Sequence, residues 1–251
     1  MTWLIIFALV LGFGTSVPQD APERTTKAYP NFQLEVVVNG RPLTEYYARG
    51  RTYVEALQGA EYELRLRNDS SDRVAVALSV DGLNTIDARH TSAWNASKWV
   101  IEPYQTITIS GWQMSSERAR RFYFTNERDS YGAKLGQTAN LGVITAVFFR
   151  ERNRPVPITP PSITREKSEG PRGSASAQSS PRSDDEYAAT GIGRNVRHDV
   201  RWVDMDLDSR SVGEVSIRYE YYSALLKLGV VPRERYTLQR REDSRGFSPE
   251  P

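Results

Sequence analysis

Between residues 61 and 67, Tyr62, Leu64 and Leu66 alternate with Glu61, Glu63, Arg65 and Arg67, the period of two expected of a strand with one face buried. The same period recurs at 73–80, where Val74, Val76, Leu78 and Val80 fall on one side and the small residues Ala75, Ala77 and Ser79 on the other. Upstream, FQLEVVV runs into Asn39-Gly40, a pair that tolerates positive φ at both central positions of a hairpin turn. Asp81-Gly82 closes the 73–80 run in the same way, and Asn68 to Asp72 reads as a polar turn. Pro103 cannot lie in a central ladder, so Val100-Ile101 and Thr106–Trp112 are expected as separate strands. ARRFYFT is a further strand, and NLGVITAVFFRE reads as a long apolar strand buried on both sides. NERDSYGAKLGQTAN, between them, is expected as a loop or a single helical turn. About eight short strands at sandwich-like spacing, with no long helical period among them, predict an all-β antiparallel sandwich, jelly-roll-like, over residues 31–151.

The texture then changes. Residues 152–186 lose their apolar positions and fill with Pro, Ser, Gly and charge, which predicts a disordered linker. Beyond it, HDVRWVDMDLDS and GEVSIRYEYY alternate again and predict a hairpin turning at Ser209–Gly213. EYYSALLKLG predicts a short helix with Gly229 just past its end. Residues 187–232 are too few for a core of their own, so this piece is expected to dock on the sandwich or to bind a partner, followed by a disordered tail over 233–251.

At the other end, Trp3 to Gly14 is an unbroken apolar run, shorter than the roughly 20 residues of a membrane span. With Gly14-Thr15-Ser16 after it, residues 1–16 read as a signal peptide or an N-terminal anchor, and 17–30 as a Pro-rich linker. The expected location is therefore periplasmic, cell-surface or extracellular, with membrane contact only through an uncleaved N-terminal segment. Composition agrees with a folded domain: 251 residues, 39% hydrophobic and 25% charged. With no cysteine, an exported domain must be held by its core alone. The net charge of +2 has no basic stripe behind it, which argues against nucleic acid.

The stretches SVDGLNTID, WVIEPYQTITISGW and RFYFT…DSYGAKLGQTANLGVITAVFFRE resemble a set of exported bacterial β-proteins that share a DGLN … GW … DSY … NxGVIxVxF pattern. TGIGR…VRWVDMDLDS…IRYEYYSALLKLGVVP is similar to the same set's C-terminal piece, and Gly132 stands where that pattern usually has alanine. The resemblance implies an exported bacterial β-protein with a tethered C-terminal piece, and it brings no catalytic residues with it.

Candidate chemistry gathers in VDGLNTIDARHTSAWNASKW, Val80 to Trp99. Ser92, His90 and either Asp87 or Asp81 have the residue types of a nucleophilic triad, but such triads are assembled from distant elements, and no strained elbow presents the serine. Asp87 is expected to cap the loop through its side chain, Asp81 to serve its turn, and His90 to lie exposed. Two histidines and no cysteine make a zinc site of the usual kind unworkable. Asp204, Asp206 and Asp208 lack the glycine and glutamate of a calcium loop and are expected on the solvated face of a strand. Gly191 and Gly193 lack the third glycine of a nucleotide fingerprint and read as a turn. The sequons at Asn68 and Asn95 fall where surface turns are expected.

The aromatics remain. Tyr53, Tyr104, Trp94, Trp99 and Trp112 lie in or beside loops, and sugar-binding sandwiches stack sugars on such side chains. Trp99 and Trp112 equally suit core plugs at strand ends. The residue set favoured for a ligand is Asp87, His90, Trp94, Asn95 and Trp99, with no cofactor, no metal and no catalytic residue assigned. The expected function is a non-enzymatic structural or protein-interaction module of the bacterial envelope, with an unidentified protein partner. Glycan or small-ligand binding through the loop aromatics is the alternative, and a hydrolase the remotest reading.

Overall fold

The computed structural model describes residues 31–152 and 187–231. Residues 1–30, 153–186 and 232–251, on which the expected signal peptide or anchor, both expected linkers and the expected tail fall, lie outside the described residues. The strands run β1 (Phe32–Val38), β2 (Arg41–Pro42), β3 (Glu45–Ala48), β4 (Arg51–Glu55), β5 (Glu61–Asn68), β6 (Val74–Val80), β7 (Leu83–Asn84) and β8 (Trp99–Ile101). They continue with β9 (Thr106–Ile109), β10 (Gly111–Gln113), β11 (Arg118–Asn126), β12 (Val143–Glu151), β13 (Ala188–Arg197) and β14 (Leu207–Glu220). Helix α1 (Tyr131–Lys134) is a single turn capped by Ser130, whose hydroxyl accepts from the Ala133 N–H, and α2 (Tyr222–Lys227) follows β14.

These strands form two sheets packed as an all-β sandwich. One has the order β10-β11-β5-β1-β2, with β13 on β11 and β9 on β5; the other has β3-β4-β14-β12-β6-β7, with β8 on β6. The same two-residue turn closes three hairpins, because Asn39-Gly40, Arg49-Gly50 and Asp81-Gly82 all have positive φ at both positions. Alternation places the core. Tyr62, Leu64 and Leu66 of β5 face Val74, Val76, Leu78 and Val80 of β6 across the interior, and all seven are essentially inaccessible. Phe32 stacks on Phe148 at 4.3 Å and Tyr62 on Phe124 at 4.4 Å. Burying each large apolar side chain contributes roughly 1.5–3 kcal/mol, the largest favourable contribution to a described core that holds no disulfide.

The run from Thr106 to Gln113 breaks at Ser110: β9 lies on β5 and β10 lies on β11. The break requires glycine at 111, where a Cβ would stand 2.0 Å from the Arg120 carbonyl oxygen. β12 differs from its expected burial on both faces. Ile144, Ala146 and Phe148 are buried, but Val143, Thr145 and Val147 are only half-buried, because β12 has a core on one side and an open groove on the other.

The C-terminal piece differs most from expectation. Residues 198–206 are not a strand, and Ser209–Gly213, expected as a hairpin turn, lie inside the continuous strand β14, so the expected hairpin does not form. β13 lies antiparallel on β11, whereas β14 inserts into the other sheet, antiparallel to β12 and parallel to β4. The chain thus crosses the sandwich twice after β12, and its last strands complete both sheets. Gly191 and Gly193 belong to β13 rather than to a turn. Gly191 lets the Tyr123 ring cross the strand, since a Cβ there would meet that ring at 2.2 Å. The α2 helix forms where its spacing predicts, with Gly229 at φ +69 beyond its end.

Candidate functional site

The segment from Thr85 to Lys98 is a structured loop that closes over the outer side of β6. Asp87 holds it as expected: one carboxylate oxygen accepts from the Arg89 N–H at 3.1 Å, and the other from the Ser97 hydroxyl at 2.9 Å. Asn84 donates to the Ser97 carbonyl at 2.8 Å, and the Trp99 indole N–H donates to Thr85 Oγ1 at 2.9 Å. Trp94 lies edge-on to Phe149 at 5.5 Å, and Lys98 Nζ sits over both rings while donating to the Trp94 and Ala96 carbonyls. Partial burial lowers the Lys98 pKa. Asn95 is exposed, and its backbone N–H turns back to the Ser92 carbonyl.

The favoured residues therefore splay over the loop instead of converging. His90 faces one groove and Trp99 another, Trp94 is fastened to Phe149, and Asp87 is spent on the loop's own hydrogen bonds. Asp87, His90 and Ser92 make no hydrogen bond to one another; the His90 Nδ1 partner is the Gly82 carbonyl at 2.9 Å. Of the other aromatics, Trp112 is a core plug whose indole N–H donates to the Gly191 carbonyl, and Tyr53 is buried, while Tyr104 is exposed. Asn68 is not on a surface turn: it is wholly buried, and its amide donates to the Asp72 and Glu102 carbonyls. Asp206 and Asp208 face Arg152. Among the described residues no cluster of three or more His, Cys, Asp or Glu could hold a metal, and no helix is long and apolar enough to cross a membrane.

What the loop does build is a wall. Beside it runs a groove of about 700 Å³ along the outer face of the second sheet. Its floor follows from register. Thr145 lies between Ser79 and Ser216, Val147 between Ala77 and Glu214, and Val143 beside Arg218. The Thr145 and Ser216 hydroxyls are 3.1 Å apart. Three adjacent strands give a floor about 10 Å across. One wall carries Arg89, His90 and Thr91; the other carries Tyr47, Gly50 and Arg51 from the β3–β4 hairpin. Arg51 and Arg218 were not singled out from the sequence, although the alternation of Glu214, Ser216 and Arg218 along GEVSIRYEYY already placed those three on one face.

A second groove, of about 430 Å³, lies on the other side of the loop, where Trp99, Trp202, Val203 and Met205 meet. Trp202 is 80% exposed. His198 packs against Trp99 at 5.6 Å and shares a 2.7 Å hydrogen bond with Gln113; burial lowers its pKa.

Inside the sandwich, at the turn after β6, a different cluster was not visible from the sequence. Asp81 is buried at positive φ, and its carboxylate accepts from the Gly142 N–H at 2.9 Å, the Thr190 N–H at 2.7 Å and the Tyr219 hydroxyl. The Thr190 hydroxyl bridges Tyr219 at 2.7 Å and Tyr62 at 2.6 Å. The line crosses from β5 of one sheet to β14 of the other. Burial raises the Asp81 pKa from 3.8 to about 7 against the hydrogen bonds to Tyr219, Thr190 and Gly142, and burial also pushes both tyrosines well above their usual value. Such a line is closed to solvent and suits fastening better than catalysis.

No protein-family model, curated protein or solved structure matches the chain. Function therefore rests on the geometry of its surfaces.

Proposed function

We propose that this chain is a non-enzymatic contact module exported to the bacterial envelope, and that it binds through the groove on the outer face of its second sheet. One observation carries the reading. A long loop spends its polar groups on holding a fixed shape, and that shape raises one wall of a groove floored by strand side chains. Sites on strands are rigid, so a ligand there meets a surface that is already formed. The N-terminal apolar run supports export, and the resemblance to exported bacterial β-proteins supports the envelope.

The test is a binding screen of the chain against a panel of envelope polysaccharides, repeated with two variants. Ser216 is exposed on the floor beside Thr145, so Ser216→Trp fills the groove without entering the core. Binding is expected to be lost in Ser216→Trp and kept in Trp202→Ala. Binding that survives Ser216→Trp would move the site elsewhere.

A protein partner has its own observation in the second groove. Trp202 is a large, exposed side chain beside Val203 and Met205, the kind of anchor that dominates protein interfaces. Loss of binding to an envelope protein in Trp202→Ala, with Ser216→Trp unaffected, would favour that reading.

A further inference from the structure

The groove on the second sheet carries charge that no ion pair answers among the described residues. Arg51 enters from the start of β4, Arg89 from the loop and Arg218 from β14, and all three line the same groove. None of them forms an ion pair or a side-chain hydrogen bond among the described residues. Several arginines elsewhere are paired, Arg65 with Glu35, Arg73 with Glu102 and Glu151, Arg121 with Glu63, Arg150 with Asp72 and Arg194 with Glu61, whereas scattered ones such as Arg41, Arg118 and Arg201 stand apart from the groove and do not share one. The one acid lining the groove is Glu214, and Arg218 reaches Glu220 only through space, where its charge favours the carboxylate without contact. Three unanswered guanidiniums around a rigid floor form a site for anions, since the planar fork matches a carboxylate, sulfate or phosphate in two hydrogen bonds.

The floor narrows the class of ligand. Ser79, Thr145 and Ser216 form a row of hydroxyls across three strands, and Tyr47, Asn84 and Asn140 add polar groups at the sides. A peptide commonly binds a sheet by adding a strand to a free edge. The floor offers no such edge: β4, β14, β12 and β6 are each paired on both sides, and the free edges lie at the rims, on β3 beyond β4 and on β7 beyond β6. Hydroxyl donors and acceptors at strand spacing, with cations at the walls, match a chain of sugars bearing acidic groups. We propose that the ligand of this groove is an acidic polysaccharide, held through its anionic groups by Arg51, Arg89 and Arg218 and through its hydroxyls by the Ser79–Thr145–Ser216 row. This rests on the groove being the binding face.

The probes are polygalacturonate and chondroitin sulfate as carboxylated and sulfated acidic polymers, dextran as a neutral one, and polyglutamate as an acidic peptide. The full chain is compared with the Arg51→Gln, Arg89→Gln, Arg218→Gln triple variant. A charge-matched control replaces Arg41, Arg67 and Arg197, which lie outside the groove. At least one acidic polysaccharide is expected to bind at least tenfold tighter than dextran and polyglutamate. The triple variant should lose at least tenfold of that affinity and the control should lose little, with the difference shrinking as salt rises. Equal loss in the control, or polyglutamate bound as tightly as the polysaccharides, would overturn the proposal. Dextran bound equally well and still abolished by Ser216→Trp would overturn the acidic ligand while leaving the groove as the binding face. If no polymer of either charge binds, both fall.

Discussion

Replacing Asp81 with asparagine isolates the most unusual group in the core. Two opposed effects act on that carboxyl. Three buried donors point at it, which favours the charged form, and complete burial opposes any charge at all. The proton count favours the carboxylate. In the ionised state Tyr62, Thr190 and Tyr219 can each donate along the line toward Asp81, and every hydroxyl proton has an acceptor. A fourth proton would have to reverse the line and leave the Tyr62 O–H with no acceptor among the described residues. Burial nevertheless prevails and brings the carboxyl to about 7 from 3.8. Because the folded pKa is the higher one, the folded chain binds the extra proton between those values and the unfolded chain does not. The stabilisation is fully present below about pH 4 and is lost as pH rises through 7. A separation of about three pH units corresponds to roughly 4 kcal/mol. Denaturant unfolding of the wild type and Asp81→Asn should be measured from pH 4 to 8.5. The wild-type advantage is expected to shrink by up to that amount, mostly between pH 4 and 7, with exposed ion pairs cancelling in the difference. Carbon NMR of the Asp81 carboxyl in the wild type reads the same titration if the variant does not fold. A flat difference curve, or a carboxyl that titrates near 4, would show that the three donors outweigh burial and would refute the reasoning.

Other substitutions test the same physics from different sides. Tyr219→Phe removes one donor from Asp81 and one partner from Thr190; it should cost about 1–3 kcal/mol and move the Asp81 titration upward, readable by the same two methods. Gly111→Ala should cost more than about 3 kcal/mol, because the new Cβ strikes rigid backbone, the Arg120 carbonyl and the Arg121 Cα, whereas Gly136→Ala, at φ +69 in open space, should cost about 1 kcal/mol; thermal unfolding compares them. A chain ending at residue 152 leaves β11 and β12 without β13 and β14 and should be recovered as aggregate, while co-expression with residues 187–251 should restore a soluble complex visible by size-exclusion chromatography.

Much of this architecture is legible in the sequence where one strand has one core face. β5 and β6 alternate cleanly, and the turns at Asn39-Gly40 and Asp81-Gly82 need the left-handed backbone their residues supply. The failures have physical causes. Val200 and Trp202 alternate with polar residues as a strand would, yet residues 198–206 have no strand neighbours, and the alternation is incidental. β13 escapes notice because its glycines are there for close approach to Tyr123, which leaves no pattern of bulky residues to read. The burial of Asp81 depends on Gly142, Thr190 and Tyr219, all distant in sequence, and a turn position alone says nothing of it. The site was half legible. The Val80–Trp99 stretch does flank both grooves and supplies Arg89, but its aromatics mostly fasten the loop, and Arg51 and Arg218 join Arg89 only through sheet register.

The most direct measurement is a hydrogen-exchange footprint of the full chain with and without saturating polygalacturonate. Protection confined to Arg51–Thr52, Arg89–Thr91 and Glu214–Arg218 is the expected result. Protection over Val200–Met205 instead, or none anywhere with the polymer demonstrably bound, would contradict the groove as the binding face.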